Sequence, residues 1–97
     1  MEDIVYYNDL YDLYGDLLTE KHRKYFEDYY FDNYSFSEMA EHFSVSLNAV
    51  FKQIHIVIEK LEEYEKKLKL LEKKKVIQSI LPTITDSESR TILENIL

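Results

Sequence analysis

Three polar side chains that can contact nucleic acid share one face of a predicted helix. Asn48, Lys52 and His55 recur at helical spacing, opposite the apolar residues of the same segment. An amide can read a base edge and an ammonium group can contact a base or a phosphate, so this face predicts recognition of a DNA major groove. Ser46 and Gln53 are then expected to face the sugar-phosphate backbone. The simpler alternative is a helix face that only contacts solvent.

The sequence offers few of the patterns on which enzymes depend. A single Gly cannot build a glycine-rich phosphate loop, and the lack of Cys excludes thiolate metal sites and cysteine nucleophiles. His22, His42 and His55 lack the i, i+4 spacing of a zinc site. The carboxylates are expected on exposed helix faces, where burial does not alter their pKa. We therefore expect no metal, no cofactor and no enzymatic activity.

Composition indicates one all-α domain. The chain has 97 residues with one Gly and one Pro, and Leu, Glu and Lys are abundant. No apolar run approaches the ~20 residues needed to cross a bilayer and no signal peptide is visible, so we expect a cytoplasmic protein without membrane insertion. The net charge of −7 lowers the expectation of DNA binding, because phosphate neutralisation supplies most non-specific affinity. Only residues 66–75 are strongly basic.

Two helices joined by a tight turn position the candidate residues. Ser35 and Glu38 predict a capping box for the first helix, and Ser46 predicts the N-cap of the second. The first helix is expected to bury Phe36, Met39, Ala40 and Phe43. The second is expected to bury Val50, Ile54, Val57, Ile58 and Leu61. This arrangement predicts a helix-turn-helix over residues 35–61.

Two further helices precede this unit in the prediction. Apolar residues recur at helical spacing over residues 3–14, and Gly15 is predicted to end this helix in the manner usual for glycine at helix C-termini. Thr19 is a predicted N-cap for a helix over residues 20–31. Most tyrosines fall on inward faces, and those expected to be partly exposed at an interface are Tyr6, Tyr30 and Tyr34.

After Leu61 the sequence contains no helix breaker before Pro82, which predicts one long helix with a short heptad-like seam. The seam residues are Leu61, Tyr64, Leu68 and Leu71. Thr85 and Glu88 predict a capping box for a short final helix. Its apolar residues, the predicted dimerisation residues, are Ile92, Leu93, Ile96 and Leu97. This helix either caps its own chain or pairs with a second copy, and we favour a homodimer because a small domain gains core by dimerising.

Residues 17–54 resemble region 4 of sigma factors, and the longer segment 10–73 is similar to the YlxM family of small helix-turn-helix proteins from low-GC Gram-positive bacteria and mollicutes. The matching residues are Tyr14-Gly15, Leu18-Thr19-Glu20-Lys21, Tyr29-Tyr30, Ser35, Glu38-Met39-Ala40, Val45-Ser46, Ala49-Val50 and Leu61-Glu62. The resemblance implies a DNA-binding-like fold and a regulatory role linked to the signal recognition particle pathway. Where the family usually has a basic residue after the serine, this chain has Leu47, whereas Lys52 is an added base.

Two functions are compatible with these features. The first is a dimeric regulator of helix-turn-helix type that binds double-stranded DNA. Its predicted contacts are Ser46, Leu47, Asn48, Phe51, Lys52, Gln53 and His55. The second is a protein-interaction module that modulates the signal recognition particle protein, its receptor or its RNA through Lys66, Lys69 and Lys73. In both, residues 1–63 are expected to form the helical domain, and residues 64–97 the long-helix extension and the dimerisation element.

Overall fold

The computed structural model describes residues 3–97, and this part of the chain is helical without strands. The helices are α1 (Ile4–Tyr14), α2 (Glu20–Tyr30), α3 (Phe36–Phe43), α4 (Leu47–Leu68), α5 (Leu70–Ile80) and α6 (Ser87–Ile96). Short 3-10 turns at Gly15–Leu17 and Leu81–Thr83 follow α1 and α5. The predicted all-α class is confirmed. Within the described residues, no helix is both long enough and apolar enough to cross a membrane.

Helix α4 is the element against which α1, α2 and α3 all pack. A first apolar cluster lies at its N-terminal half and comprises Tyr25, Met39, Val50 and Ile54. A second lies at its C-terminal half and comprises Leu10, Tyr14, Leu18, Phe26, Tyr30, Val57, Leu61 and Leu71. The apolar face predicted for α4 therefore does form the core. Because one helix serves both clusters, the packing of its C-terminal half also fixes the direction of its N-terminal half.

Stacked aromatic rings join α1 to α2. The Phe26 ring lies 4.3 Å from the Tyr11 ring and 4.5 Å from the Tyr30 ring, measured between centroids. Tyr30 is thereby buried, with 8% of its surface exposed, so the expectation that it is partly exposed was wrong. Tyr6 is half-buried, whereas Tyr34 is exposed as expected. Offset stacking of this kind adds to the burial energy of the rings.

Gly15 follows α1 as predicted, but not for the predicted reason. Its φ of −56° is right-handed, and the chain continues directly into a 3-10 turn. A left-handed glycine cap is therefore absent at this position. A Cβ atom on Gly15 would lie 3.1 Å from the ring of Tyr11, which is tighter than most such contacts, so the ring would have to shift by a few tenths of an ångström. Glycine allows the close approach of that ring without such a shift.

The long helix predicted after Leu61 is interrupted at Lys69. Helix α4 ends at Leu68 and α5 begins at Leu70, with Lys69 between them in the left-handed conformation at φ 57°. The prediction of one continuous helix was wrong, because contacts from outside the segment override its local preference. The change of direction removes Leu68 from the predicted seam and leaves it exposed, while Leu71 is buried.

Tyr14 and Glu65 hold the chain in this break. The buried Tyr14 hydroxyl donates to Oε1 of Glu65 at 2.6 Å and accepts from the backbone N–H of Leu70 at 3.0 Å. The Glu65 carboxylate also accepts from the N–H groups of Leu71 and Glu72, at 3.0 and 3.1 Å. The first N–H groups of any α-helix lack partners within the helix. Here the first three of α5 are satisfied by one tyrosine and one glutamate.

Glu65 departs from the expectation that exposed carboxylates keep their ordinary pKa. Its partial burial acts to raise the pKa, but the hydrogen bonds from Tyr14 and from the N–H groups of Leu71 and Glu72 outweigh burial and lower the pKa of Glu65 below its usual value. The folded state therefore holds this carboxylate in its charged form.

The start of the last helix also differs from the prediction. Helix α6 begins after Asp86, whose carboxylate accepts from the N–H of Ser89 at 3.1 Å. The predicted N-cap, Thr85, lies one residue too early. Asp and Thr are both good N-caps, so the local sequence did not distinguish between them.

Replacing Lys69 with Gly tests the helix break. A non-glycine residue in the left-handed conformation is strained, so Lys69→Gly is expected to stabilise the protein by about 0.5–1 kcal/mol. The matched variant Lys66→Gly, in the last turns of α4, is expected to destabilise it by up to about 1 kcal/mol. Chemical denaturation measures both. Equal destabilisation by the two glycines would mean that the helix continues through Lys69.

Glu65→Gln tests the carboxylate that caps α5. Since the folded-state pKa of Glu65 is lowered, its charge stabilises the fold above the ordinary pKa of about 4.5 and ceases to do so as the pH falls below it. The variant is expected to be less stable than the parent at pH 7, with the difference shrinking toward pH 3. Denaturation across this range measures the effect. Glu59→Gln, at an exposed position of the same helix, is the control and should show little difference at any pH.

Candidate nucleic-acid interface

The predicted helix-turn-helix is formed by α3 and α4. The Ser35 hydroxyl accepts from the N–H of Glu38 at 3.1 Å, and the Glu38 carboxylate accepts from the N–H of Ser35 at 2.9 Å, which completes the predicted capping box. At the start of α4, the Ser46 hydroxyl accepts from the N–H of Ala49 at 3.1 Å. These N-cap predictions are confirmed.

The tight turn predicted between the two helices begins at Ser44, although its left-handed conformation was not predicted. Ser44 is left-handed, at φ 55°. Its N–H donates to the carbonyl of Glu41 at 3.2 Å, and the N–H of Val45 donates to the carbonyl of Ala40 at 3.0 Å. These bonds satisfy carbonyl groups at the end of α3 and help to set the angle between α3 and α4. Glycine would have marked the position, but serine gives no such signal.

Apolar packing fixes the N-terminal half of α4 to the helices behind it. Met39 of α3 and Val50 of α4 are both fully buried, in the cluster that also holds Tyr25 of α2. The ring of Tyr25 stacks on that of Phe43 with 4.2 Å between centroids. The outer face of α4, which lies opposite this cluster, is therefore held in place by packed helices and not by a loop.

Most of the predicted DNA-contacting residues lie together on this outer face. The exposed members are Ser46, Leu47, Asn48, Phe51, Lys52 and His55. Gln53 is the exception, because it is half-buried on the side of α4 that packs against α2. Its side-chain oxygen lies 3.2 Å from Nε2 of His22. Burial, with the positive charge of Lys60 next in effect, lowers the pKa of His22, which favours a neutral ring facing Gln53.

The outer face of α4 is free of acidic residues over roughly its first three turns. No Asp or Glu occurs between residues 44 and 58, although the chain contains 19 acids in 97 residues. Lys52 is the cation of this stretch, and the acids resume at Glu59 and Glu62. The N-terminus of a helix carries a partial positive charge, which no acid in the first turn of α4 offsets. This end of α4 therefore carries no carboxylate of its own that would repel a polyanion.

An aromatic side chain occupies the middle of the outer face. The ring of Phe51 lies 4.4 Å from that of His55 and 6.0 Å from that of Phe36 on α3, between centroids. Phe51 is nevertheless 52% exposed, and Leu47, one turn earlier, is 51% exposed. An apolar stripe therefore runs beside the polar stripe formed by Asn48 and Lys52.

The lysines predicted to contact a protein partner are all exposed but do not share one helix. Lys66 lies in the last turns of α4, Lys69 forms the break, and Lys73 lies in α5. Lys67 pairs with Glu63 across one helical turn at 2.8 Å. The break at Lys69 places these lysines on two separate helices. The prediction of one continuous helix did not anticipate this separation.

The predicted dimerisation residues differ in their exposure. Ile92 and Ile96 are 55% and 66% exposed, whereas Leu93 is half-buried. Ile96 and Leu97 face an apolar groove of about 300 Å³ between α1, α5 and α6. The other lining residues are Leu13, Leu70, Lys73, Lys74 and Ile77. The end of α6 thus lies beside its own chain, with one apolar face left in solvent.

Over residues 3–97, the His, Asp and Glu side chains form no group of three that could hold a metal ion. The polar groups of the outer face of α4 are donors and acceptors without a paired nucleophile and base, so their arrangement is suited to binding.

The fold and this exposed helix define a helix-turn-helix protein. Residues 1–96 match the UPF0122 family, whose description reads "Putative helix-turn-helix protein, YlxM / p13 like", and the chain belongs to that family. This confirms the resemblance noted in the sequence.

Similar proteins come from several bacteria. A UPF0122 protein of Halalkalibacterium halodurans is 46% identical over 80 residues, covering 82% of this chain and 73% of the relative. One from Exiguobacterium sp. is 45% identical over 97 residues, covering 92% of this chain and 91% of the relative. One from Geobacillus kaustophilus is 42% identical over 90 residues, covering 93% and 82%.

Proposed function

We propose that this protein is a regulator that binds duplex DNA by placing the N-terminal half of α4 in the major groove. The observation that carries the proposal is the exposed, acid-free outer face of α4, held by a helix-turn-helix in an otherwise acidic chain. Recognition helices of this class use their N-terminal residues to contact base edges. We assign the protein no catalytic role.

The side chains of the outer face have distinct roles in this proposal. Asn48, Lys52 and His55 face the bases, and Ser46 faces a phosphate at the positive end of α4. Gln53 was expected to contact the DNA backbone, but its position against His22 suits it to holding α2 on α4. Its contribution to DNA binding is therefore indirect.

In a homodimer, each of the two copies would contribute one α4 helix to the DNA contact. The exposed apolar residues of the C-terminal segment support a contact between copies: Val76, Ile80, Ile92 and Ile96. The helices α5 and α6 also complement one another in charge, since α5 carries three Lys and one Glu while α6 carries two Glu and one Arg. Dimeric helix-turn-helix proteins read two half-sites about one DNA turn apart.

A second function is supported by the exposed lysines at the break between α4 and α5. Lys66 and Lys73 extend from two helix directions and could contact an acidic protein or RNA, which would include components of the signal recognition particle pathway. In this alternative the helix-turn-helix serves as a scaffold. It predicts that charge reversal at Lys66 and Lys73, and not at Lys52, abolishes partner binding.

Lys52→Glu tests the DNA-binding proposal. Replacing the cation of the outer face by an anion is expected to weaken binding to duplex DNA at least about tenfold at low salt, because it adds repulsion where a base or phosphate is contacted. Fluorescence anisotropy with labelled duplexes at low and physiological salt measures the effect.

The matched control for this experiment is the double variant Lys66→Glu/Lys73→Glu, which reverses two charges away from the exposed N-terminal half of α4. It should retain most DNA affinity. Lys69 is left unchanged, because substitution there also alters the helix break. If the double variant lost DNA binding and Lys52→Glu kept it, the lysine-rich segment would be the nucleic-acid contact. If the parent protein bound no duplex at low salt, the proposal would fail.

Ile92→Asp/Ile96→Asp tests the dimer. Both residues are more than half exposed in the single chain, so the variant should fold, but burying two carboxylates between copies is costly. We expect a dimeric mass for the parent protein at micromolar concentration and a monomeric mass for the variant, measured by analytical ultracentrifugation. Val5→Asp, at an exposed position of α1, is the control. A monomeric parent would contradict the dimer.

A further inference from the structure

We propose that Leu47 and Phe51 read thymine methyl groups, so that the DNA target of this protein contains A·T pairs beneath the N-terminal turns of α4. This inference rests on the proposed function and adds the class of base that is recognised. It concerns two residues at which a DNA-binding helix more often carries polar or basic groups.

The first step in the argument is the exposure of both side chains. Leu47 is 51% and Phe51 is 52% exposed, on consecutive turns of the same helix face. Neither is needed for the core, since the buried face of α4 is made by Val50 and Ile54. Large apolar side chains at the centre of an exposed functional face indicate an apolar surface on the ligand.

The second step is the chemistry of the major groove. Thymine presents a C5-methyl group there, and apolar side chains make favourable contact with it. The adenine of the same pair presents N7 and the N6 amino group, which an Asn side chain can bind with two hydrogen bonds. Asn48 is exposed next to Leu47. An A·T pair would thus match one apolar and one amide side chain placed side by side.

The third step is electrostatic. Lys52 is the cation within residues 44–58, while the whole chain carries a net charge of −7. A protein with so few cations at its interface gains little from phosphate neutralisation. Its affinity must therefore come largely from contacts with base edges, and the exposed side chains of Leu47 and Phe51 supply apolar area for such contacts.

The fourth step is the order of the Phe51 ring. The rings of Phe36 and His55 both lie close to it, at 6.0 and 4.4 Å between centroids. A ring held by neighbours loses less conformational freedom on binding than a free one. Phe51 is therefore positioned before DNA arrives, as expected for a residue that determines specificity.

The experiment replaces thymine by uracil. Duplexes bound by the full-length protein are selected at low salt from a random library of about 20 base pairs, long enough for two half-sites. The enriched duplex is then made again with deoxyuridine at each thymidine, which removes the methyl groups and keeps base pairing. We expect an A·T-containing duplex, and about fourfold weaker binding for each contacted methyl group that is lost, or about sixteenfold when Leu47 and Phe51 each lose one.

Variants show whether Leu47 and Phe51 are responsible. Leu47→Ala/Phe51→Ala should bind the thymine and uracil duplexes with nearly equal affinity. Lys52→Ala should weaken both duplexes by the same factor and so keep the ratio between them. Val5→Ala, a truncation of an exposed apolar residue on α1, should change neither. The thymine-to-uracil comparison with the parent protein remains decisive even if the double variant folds poorly.

The outcomes separate this inference from the proposed function. Equal binding of the parent protein to the thymine and uracil duplexes would overturn methyl recognition while leaving DNA binding intact. A thymine preference that the double variant retained would assign the contact to other residues and would also overturn the inference. If no duplex were enriched or bound at all, the proposed function itself would fail, and the apolar stripe would become a protein-contact surface.

Discussion

The hydrogen bond between the buried Tyr14 hydroxyl and the Glu65 carboxylate determines where the central helix ends. Together these two groups satisfy the first three N–H groups of α5 and so stabilise a left-handed residue, Lys69, in a segment without glycine or proline. They also tie α1 to the C-terminal half of α4. The direction of the C-terminal helices therefore depends on this pair of side chains. The packing of α4 in the apolar cluster that contains Tyr14 depends on the same pair.

Helix α4 transmits this constraint to the functional surface. Its C-terminal half packs in the cluster that contains Tyr14, while its N-terminal half packs with α2 and α3 in a second cluster. A single continuous helix in both clusters keeps the outer face in a fixed direction. The Gln53 side chain beside His22 adds a polar contact between α2 and α4 at the same level. The outer face of α4 is thus presented by a rigid support, which in the proposed function favours selective contacts over non-specific adhesion.

Local sequence rules were sufficient to predict where α3 and α4 begin. They were insufficient where residues distant in the sequence determine the structure. The N-caps at Ser35 and Ser46 could be predicted because each involves atoms only three residues away. The break at Lys69 could not, because its cause is Tyr14, more than 50 residues earlier in the chain. The turn at Ser44 was predicted but its left-handed conformation was not, because serine gives no conformational signal of the kind that glycine gives.

Membership of the UPF0122 family and the exposed, acid-free face of α4 support a protein that reads DNA mainly through base contacts. The most direct test is an NMR titration of the 15N-labelled full-length protein with duplex DNA at low salt. The account predicts that the largest shifts of backbone amide signals occur at Leu47, Asn48 and Lys52, with the signals of α5 little changed. Shifts confined to Lys66 and Lys73, or no shifts at all, would contradict it.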